Sequence, residues 1–143
     1  MRFLIFLLTL TAWLNADTAF AEPKPSLDNP RQIVFSVTEG SDEAINHVLS
    51  SANNVLKFYG PEKVQMEIVA YSGGIRTLLK SDPKIAERVR TLMLYDVTFV
   101  ACGNTMRTKH ITEDQLIDDV EVVTAGIVEM IERVKEGWVY IKP

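Results

Sequence analysis

The sequence predicts an α/β protein, a three-layer sandwich with a mostly parallel sheet of about five strands and helices on both faces. The first observation is strict alternation. From Ile33 onward, β-rich runs and helical stripes take turns, the order that crossover connections between parallel strands require. The second is that Ile33-Val34-Phe35-Ser36-Val37 and Val97-Thr98-Phe99-Val100-Ala101 are nearly continuous apolar or β-branched runs, as strands covered on both faces are. The third is punctuation: strand runs give way to Ser72-Gly73-Gly74 and to Cys102-Gly103-Asn104, which turn the chain and allow a helix to begin.

Glu22 to Pro30 carries Pro23, Pro25 and Pro30 and little apolar character, so an extended N-terminal arm is expected there. Arg31 to Thr38 is the first strand. Ser41 caps the helix that follows, with Asp42 and Glu43 in its first turn, where carboxylates suit the positive end of the dipole. Ala44, Ile45, Val48, Leu49, Ala52, Val55 and Leu56 form one stripe at helical spacing, and Gly60-Pro61 ends it. Val64 to Tyr71 is the second strand, and Ile75 to Leu79 is a short helix. Ser81-Asp82-Pro83 starts a helix whose buried face is Ile85, Val89, Leu92 and Met93. The next strand, expected at the centre of the sheet, ends at Cys102. Gly103 to Met106 then makes one helical turn, Arg107 to His110 a basic loop, and Thr112-Glu113-Asp114-Gln115 a capping box opening a short helix through Ile117. Val120 to Val123 is the fourth strand. A helix over Gly126 to Glu136 follows, with Ile127, Ile131 and Val134 as its core stripe, and Trp138 to Ile141 is the last strand.

Ahead of all this, Met1-Arg2 is followed by an apolar run from Phe3 to Leu14, short of the roughly 20 residues that span a hydrocarbon core. Ala19-Phe20-Ala21 supplies the small-x-small pattern that a signal peptidase reads. Residues 1–21 are therefore expected to be a signal peptide and residues 22–143 a single mature domain, periplasmic or secreted and without membrane attachment after cleavage. The cut removes one base, Arg2, and one acid, Asp17, so the net charge stays at −4. An acidic balance without a basic run argues against nucleic acid as a partner. No Walker or dinucleotide fingerprint is present and no cofactor is expected. The two histidines and one cysteine are widely spread, so no metal site is expected within one chain. Glu113-Asp114 and Asp118-Asp119 read as solvated acidic surface, and His47 as a side-facing residue of the first helix.

An exported domain ordinarily uses cysteines in pairs, and Cys102 has no partner in its own chain. A leftover cysteine is a buried inert thiol, half of an intermolecular disulfide, or a thiol with a task. Its place at a strand's carboxyl end, where open α/β sheets bind ligands, keeps the third reading open.

These residues also carry a resemblance. Phe99-Val100-Ala101-Cys102-Gly103-Asn104-Thr105-Met106, Val122-Val123-Thr124-Ala125-Gly126-Ile127-Val128-Glu129 and the ending Glu136-Gly137-Trp138-Val139-Tyr140-Ile141-Lys142-Pro143 resemble the DsrE/DsrF-like family, whose fold is also described from YchN-like proteins. The likeness runs from Ile33 to Pro143, and the leader places the chain in an exported subgroup. It implies a homotrimer or homohexamer. Some members pass sulfane sulfur along a cysteine relay, which here would use Cys102 and a sulfur-donor or acceptor protein as partner. One departure is visible. Where the family often has Asn or His followed by Gly-Pro-Gly, this chain has Tyr71-Ser72-Gly73-Gly74, which puts a phenol in place of a polar group.

A thiol attacks only as its thiolate, of which a few per cent is present at neutral pH at an unperturbed pKa near 8.5. Cys102 is the candidate catalytic residue, more acidic than a free thiol because a helix starts beside it. Gly103 and Asn104 would supply amides to the anion, Thr105 would orient what binds, and Arg107, Lys109 and His110 could add positive charge. Tyr71, Ser72, Gly73 and Gly74 are candidate ligand contacts, although a tight strand-to-helix turn needs such glycines with no ligand at all. Two functions follow. Either the protein carries sulfur as a persulfide on Cys102, or it is a homo-oligomeric module that binds a small ligand or partner and uses the thiol for nothing; a purely structural role as an oligomeric accessory is the third reading.

Overall fold

The computed structural model describes residues 18–143, so most of the expected leader lies outside the described residues. The elements are β1 (Arg31–Val37), α1 (Asp42–Tyr59), β2 (Val64–Ala70), α2 (Pro83–Met93), β3 (Val97–Cys102), α3 (Gly103–Thr108), β4 (Glu121–Val123), α4 (Gly126–Lys135) and β5 (Val139–Ile141). Short 3-10 turns cover Pro61–Lys63, Ser72–Leu78 and Glu113–Gln115. The strands form one five-stranded sheet in the order β4-β3-β2-β1-β5, every pair parallel. The middle strand is therefore β2 rather than β3.

Strand order dictates the layers. Steps from β1 to β4 all run in one direction across the sheet, so right-handed crossovers lay their helices on one face. The return from β4 to β5 runs the other way and places α4 on the opposite face. Burial confirms the split. The first face holds the main core, where Ile33, Phe35, Val37, Ile68 and Phe99 pack beneath Ile45, Leu49, Leu56, Ile85, Val89 and Met106. The second is small: Val34, Val69 and Val100 meet Met130, flanked by Tyr71, Val123 and Trp138.

Several helix ends form as their residues dictate. Ser41 accepts the Ala44 amide and Asp82 the Ile85 amide, the latter with Pro83 in the first turn. Gly60 takes the positive φ of 85° that stops α1. The expected helix over Ile75 to Leu79 is instead a 3-10 stretch, Ser72–Leu78, pinned by Arg76 to the Gly40 carbonyl, Asp42 and Asp82. The basic segment also differs: α3 continues through Thr108, because Thr108 Oγ1 donates back to the Asn104 carbonyl and Lys109 N to Thr105 O.

α4 departs most from expectation. Its buried residues are Gly126 and Met130, while Ile127, Ile131 and Val134 are 54%, 51% and 48% exposed. The inward face is completed by a charged side chain. Arg133 Nε donates to Glu67 Oε2 at 2.8 Å and its guanidinium lies 5.2 Å from the Trp138 ring centroid. Glu67 is 2% exposed and its Oε1 has no partner within the described protein. Burial raises its pKa, and the pull of Arg133 only partly opposes that.

Candidate functional site

The carboxyl ends of β2, β3 and β4 lie side by side, and the chain leaves β3 and β4 toward opposite faces. After β3, α3 turns to the main core, where Met106 is buried; after β4, α4 goes to the other face. The gap between such strand ends is where an open α/β sheet makes its crevice. Cys102 sits there, as the last residue of β3, paired with Val123 of β4.

Three contacts fix its surroundings. The Asn104 amide donates to the Thr124 carbonyl at 3.0 Å, which ties the start of α3 to the end of β4. The Ser72 amide donates to Thr105 Oγ1 at 3.0 Å, tying the turn after β2 to α3. The third is a close approach. A Cβ on Gly126 would stand 3.3 Å from Cys102 Cβ and 2.9 Å from Val69 Cγ1, so only glycine lets the first turn of α4 come this near the cysteine.

Cys102 is 6% exposed. Burial is the largest single influence on its thiol and disfavours the anion. The Gly126 amide, the Thr105 hydroxyl and amide and the Asn104 amide together outweigh it, and the pKa lies below the ordinary thiol value. As the residue capping α3, Cys102 closes no side-chain hydrogen bond to that helix, so these donors act as nearby dipoles. The Asn104 amide, which also donates to the Thr124 carbonyl, is the weakest of these four donors. Thr105 is the reverse case: its oxygen accepts from Ser72, and its own hydrogen remains free to turn to the sulfur.

The other expected site residues divide. Tyr71 borders the cysteine; burial first, then Tyr140 and Cys102, raise its phenol pKa. Ser72 reaches the site through its amide, held by a left-handed φ of 52°. Gly73 and Gly74 are spent on packing. A Cβ on Gly74 would fall 2.0 Å from the Val37 carbonyl oxygen, and one on Gly73 3.0 Å from the Gly40 amide nitrogen. Gly103 similarly faces the Val123 carbonyl at 3.0 Å. Arg107 donates to Asn104 Oδ1 at 2.6 Å, and His110 is exposed. Asp118 pairs with Lys80 at 2.9 Å and His47 is exposed on α1. Among the described residues no group of three or more His, Cys, Asp or Glu is placed to hold a metal ion.

A family model described as the DsrE/DsrF-like family matches residues 32–143. The chain belongs to the DsrE/DsrF-like family. Among solved structures it is similar to MTH1491 of Methanobacterium thermoautotrophicum, a protein of unknown function, with 31% identity and a TM-score of 0.75 over 79% of this chain and 99% of that one. The ychN protein from E. coli aligns with a TM-score of 0.67 at 15% identity, over 80% of this chain and 99% of that chain. BT1422 of Bacteroides thetaiotaomicron, also of unknown function, gives 0.57 at 12% identity over 78% and 94%. The last two likenesses show the fold alone. No curated protein matches the chain. Within this DsrE/DsrF-like chain, the site residue that the sequence reading missed is Gly126. The local signal was present, a glycine opening a helix after a strand, but the adjacency of β3 and β4 that gives it meaning was not.

Proposed function

We propose that this protein is an exported sulfur carrier in which Cys102 holds sulfane sulfur as a persulfide. The observation that carries the reading is the set of donors from two helix starts around the one cysteine, favouring its thiolate despite burial. In the transfer, the Cys102 thiolate attacks the outer sulfur of a donor persulfide, R–S–SH. The donor's S–S bond breaks, R–S⁻ leaves with the bonding pair, and Cys102 becomes Cys–S–SH. An acceptor thiolate then attacks that outer sulfur and Cys102 leaves as thiolate, with no net oxidation. A stabilised thiolate is the better leaving group, so the same donors assist delivery.

Assembly as a homotrimer or homohexamer belongs to the same proposal. Ile127, Val128, Ile131 and Val134 leave an apolar side of α4 half-exposed, beside a groove of about 290 Å³ that also includes Met130 and Tyr140. Such a patch on a small domain marks a contact surface. It starts one residue after Gly126, so burying it would set a subunit seam beside Cys102. Periplasmic or secreted location rests on the leader-like residues 1–21.

The 6% exposure of Cys102 favours the second reading, a binding module in which the thiol is incidental. Intact-mass measurement after exposure to polysulfide separates the two. A sulfur adduct that is absent from a folded, assembled Cys102→Ser variant supports the carrier. An unmodified wild-type protein refutes it.

A further inference from the structure

Glu67 is the only charged side chain among the described residues that is buried. Its Oε2 takes the Arg133 Nε at 2.8 Å, while Oε1 has no partner and almost no contact with solvent. Native proteins rarely leave a buried acceptor unmet, and bulk water does not reach this one. Room for a donor lies alongside. A cavity of about 300 Å³ has Glu67 in its wall, together with the groups on either side of that carboxylate: Arg133, which holds Oε2, and Thr98, its partner in the β2–β3 register. Asp96 and Glu121 stand in the same wall and are exposed. Arg133 is the one base there, and Glu67, Glu129 and Glu136 already share its guanidinium. Neither Asp96 nor Glu121 forms an ion pair among the described residues. The cavity is therefore lined by uncompensated negative charge.

We propose that this cavity binds a small organic ammonium ion, whose N–H groups complete Glu67. An ammonium head carries three donors and no acceptor, and the wall offers acceptors in Glu67 Oε1, the Thr98 hydroxyl and the carboxylates of Glu121 and Asp96. A slight turn of the Glu67 carboxylate about its soft terminal torsion presents Oε1 to the guest while Oε2 keeps Arg133. Charge-assisted bonds to several acids offset the water that the cation gives up. Among the described residues no three acids, histidines or cysteines are placed around a metal ion, which points to a cation that brings its own hydrogens rather than one that needs a ring of oxygens. The volume lies at the small end of ligand sites and suits a short aliphatic amine, for which Trp138 is an apolar wall. By the strand rise from Thr98 to Cys102 the cavity is about 13 Å from the thiol, so this site is separate and does not rest on the sulfur reading.

The test is titration of the full chain with putrescine, a linear diamine, at neutral pH and constant ionic strength, followed by backbone amide NMR shifts. Saturable shifts should centre on Glu67, Thr98 and Glu121, and butanediol, of the same length but uncharged, should give none. Glu67→Gln keeps the shape, removes the charge and should weaken binding at least about tenfold. Glu121→Gln, at an exposed site where folding is not at stake, should weaken it about two- to fivefold. Cys102→Ser should bind putrescine as wild type does. The absence of saturable shifts, or equal shifts with butanediol, overturns the proposal. Binding that Glu67→Gln and Glu121→Gln both leave unchanged overturns the assignment to this cavity. Displacement of putrescine by calcium chloride at matched ionic strength gives the site to a metal ion and overturns the choice of ammonium.

Discussion

Gly126→Ala is the perturbation that probes the cysteine's environment without touching the cysteine. The added Cβ would lie 2.9 Å from Val69 Cγ1, 3.3 Å from Cys102 Cβ and 3.7 Å from Tyr71 Cβ. Carbon atoms rest at about 3.5–4.0 Å, so the first turn of α4 must retreat by about 0.5–1 Å or Val69 must repack. Overpacking of this kind costs about 1–3 kcal/mol, and the better helix propensity of alanine returns up to about 1 kcal/mol. The expected net loss is about 1–2 kcal/mol, read from urea unfolding. The retreat also draws the Gly126 amide from the sulfur. A helix-terminal donor contributes about 0.5–1 kcal/mol to a nearby anion, so alkylation of Cys102 at pH 7 should slow about two- to fivefold. The assay is the iodoacetamide rate against pH, followed by intact mass, in a chain with a single cysteine. A variant that is destabilised but alkylates as fast as wild type would refute the role given to this amide.

Thr105→Val keeps the shape and removes the hydroxyl. It should slow alkylation at pH 7 and, by orphaning the Ser72 amide, cost about 1 kcal/mol in urea unfolding; unchanged reactivity would remove Thr105 from the site. Glu67 has a folded-state pKa raised above that of an exposed carboxyl, so the folded state holds its proton more tightly and this residue's contribution to stability falls as pH rises through the window above 4.5. Glu67→Gln, compared with wild type by urea melts from pH 4 to 7, should therefore gain relative stability with rising pH, and a flat or opposite difference would contradict the burial argument. Burial is also the largest influence on Arg133, but Glu67, Glu136 and Glu129 together outweigh it and hold the guanidinium charged. The proposed assembly predicts that wild type sediments as an oligomer and that Ile131→Asp, at a half-exposed site, leaves a folded monomer; a variant that assembles as wild type does would show that the α4 patch is not the seam.

Much of the fold was legible because its signals are local. The switch from Val97–Ala101 to Gly103-Asn104 marks the strand end, Ser41 caps the helix it was expected to cap, and the second helix starts at Ser81-Asp82-Pro83 as expected, with Asp82 as its cap. What was not legible depends on neighbours distant in sequence. Periodicity in α4 finds an apolar stripe but cannot say which partner covers it. Ile127, Ile131 and Val134 form such a stripe, yet the sheet beneath takes Gly126, Met130 and Arg133. Glu67 lies within a β-rich run whose pattern does not reveal that a helix will cover that face and bring a guanidinium with it. At the site, the position of Cys102 could be read from composition. Its main helper could not: Gly126 is 24 residues further on, and only the pairing of β3 with β4 brings it close.

The account stands on a nearly enclosed thiol that gives up its proton more readily than a free cysteine. The direct measurement is the second-order alkylation rate of Cys102 in the native protein at pH 7, set beside that of the urea-unfolded chain. A native rate above the unfolded one is predicted, since the fold would then supply more thiolate than it removes access. A native thiol that reacts only as the protein unfolds would contradict the carrier reading.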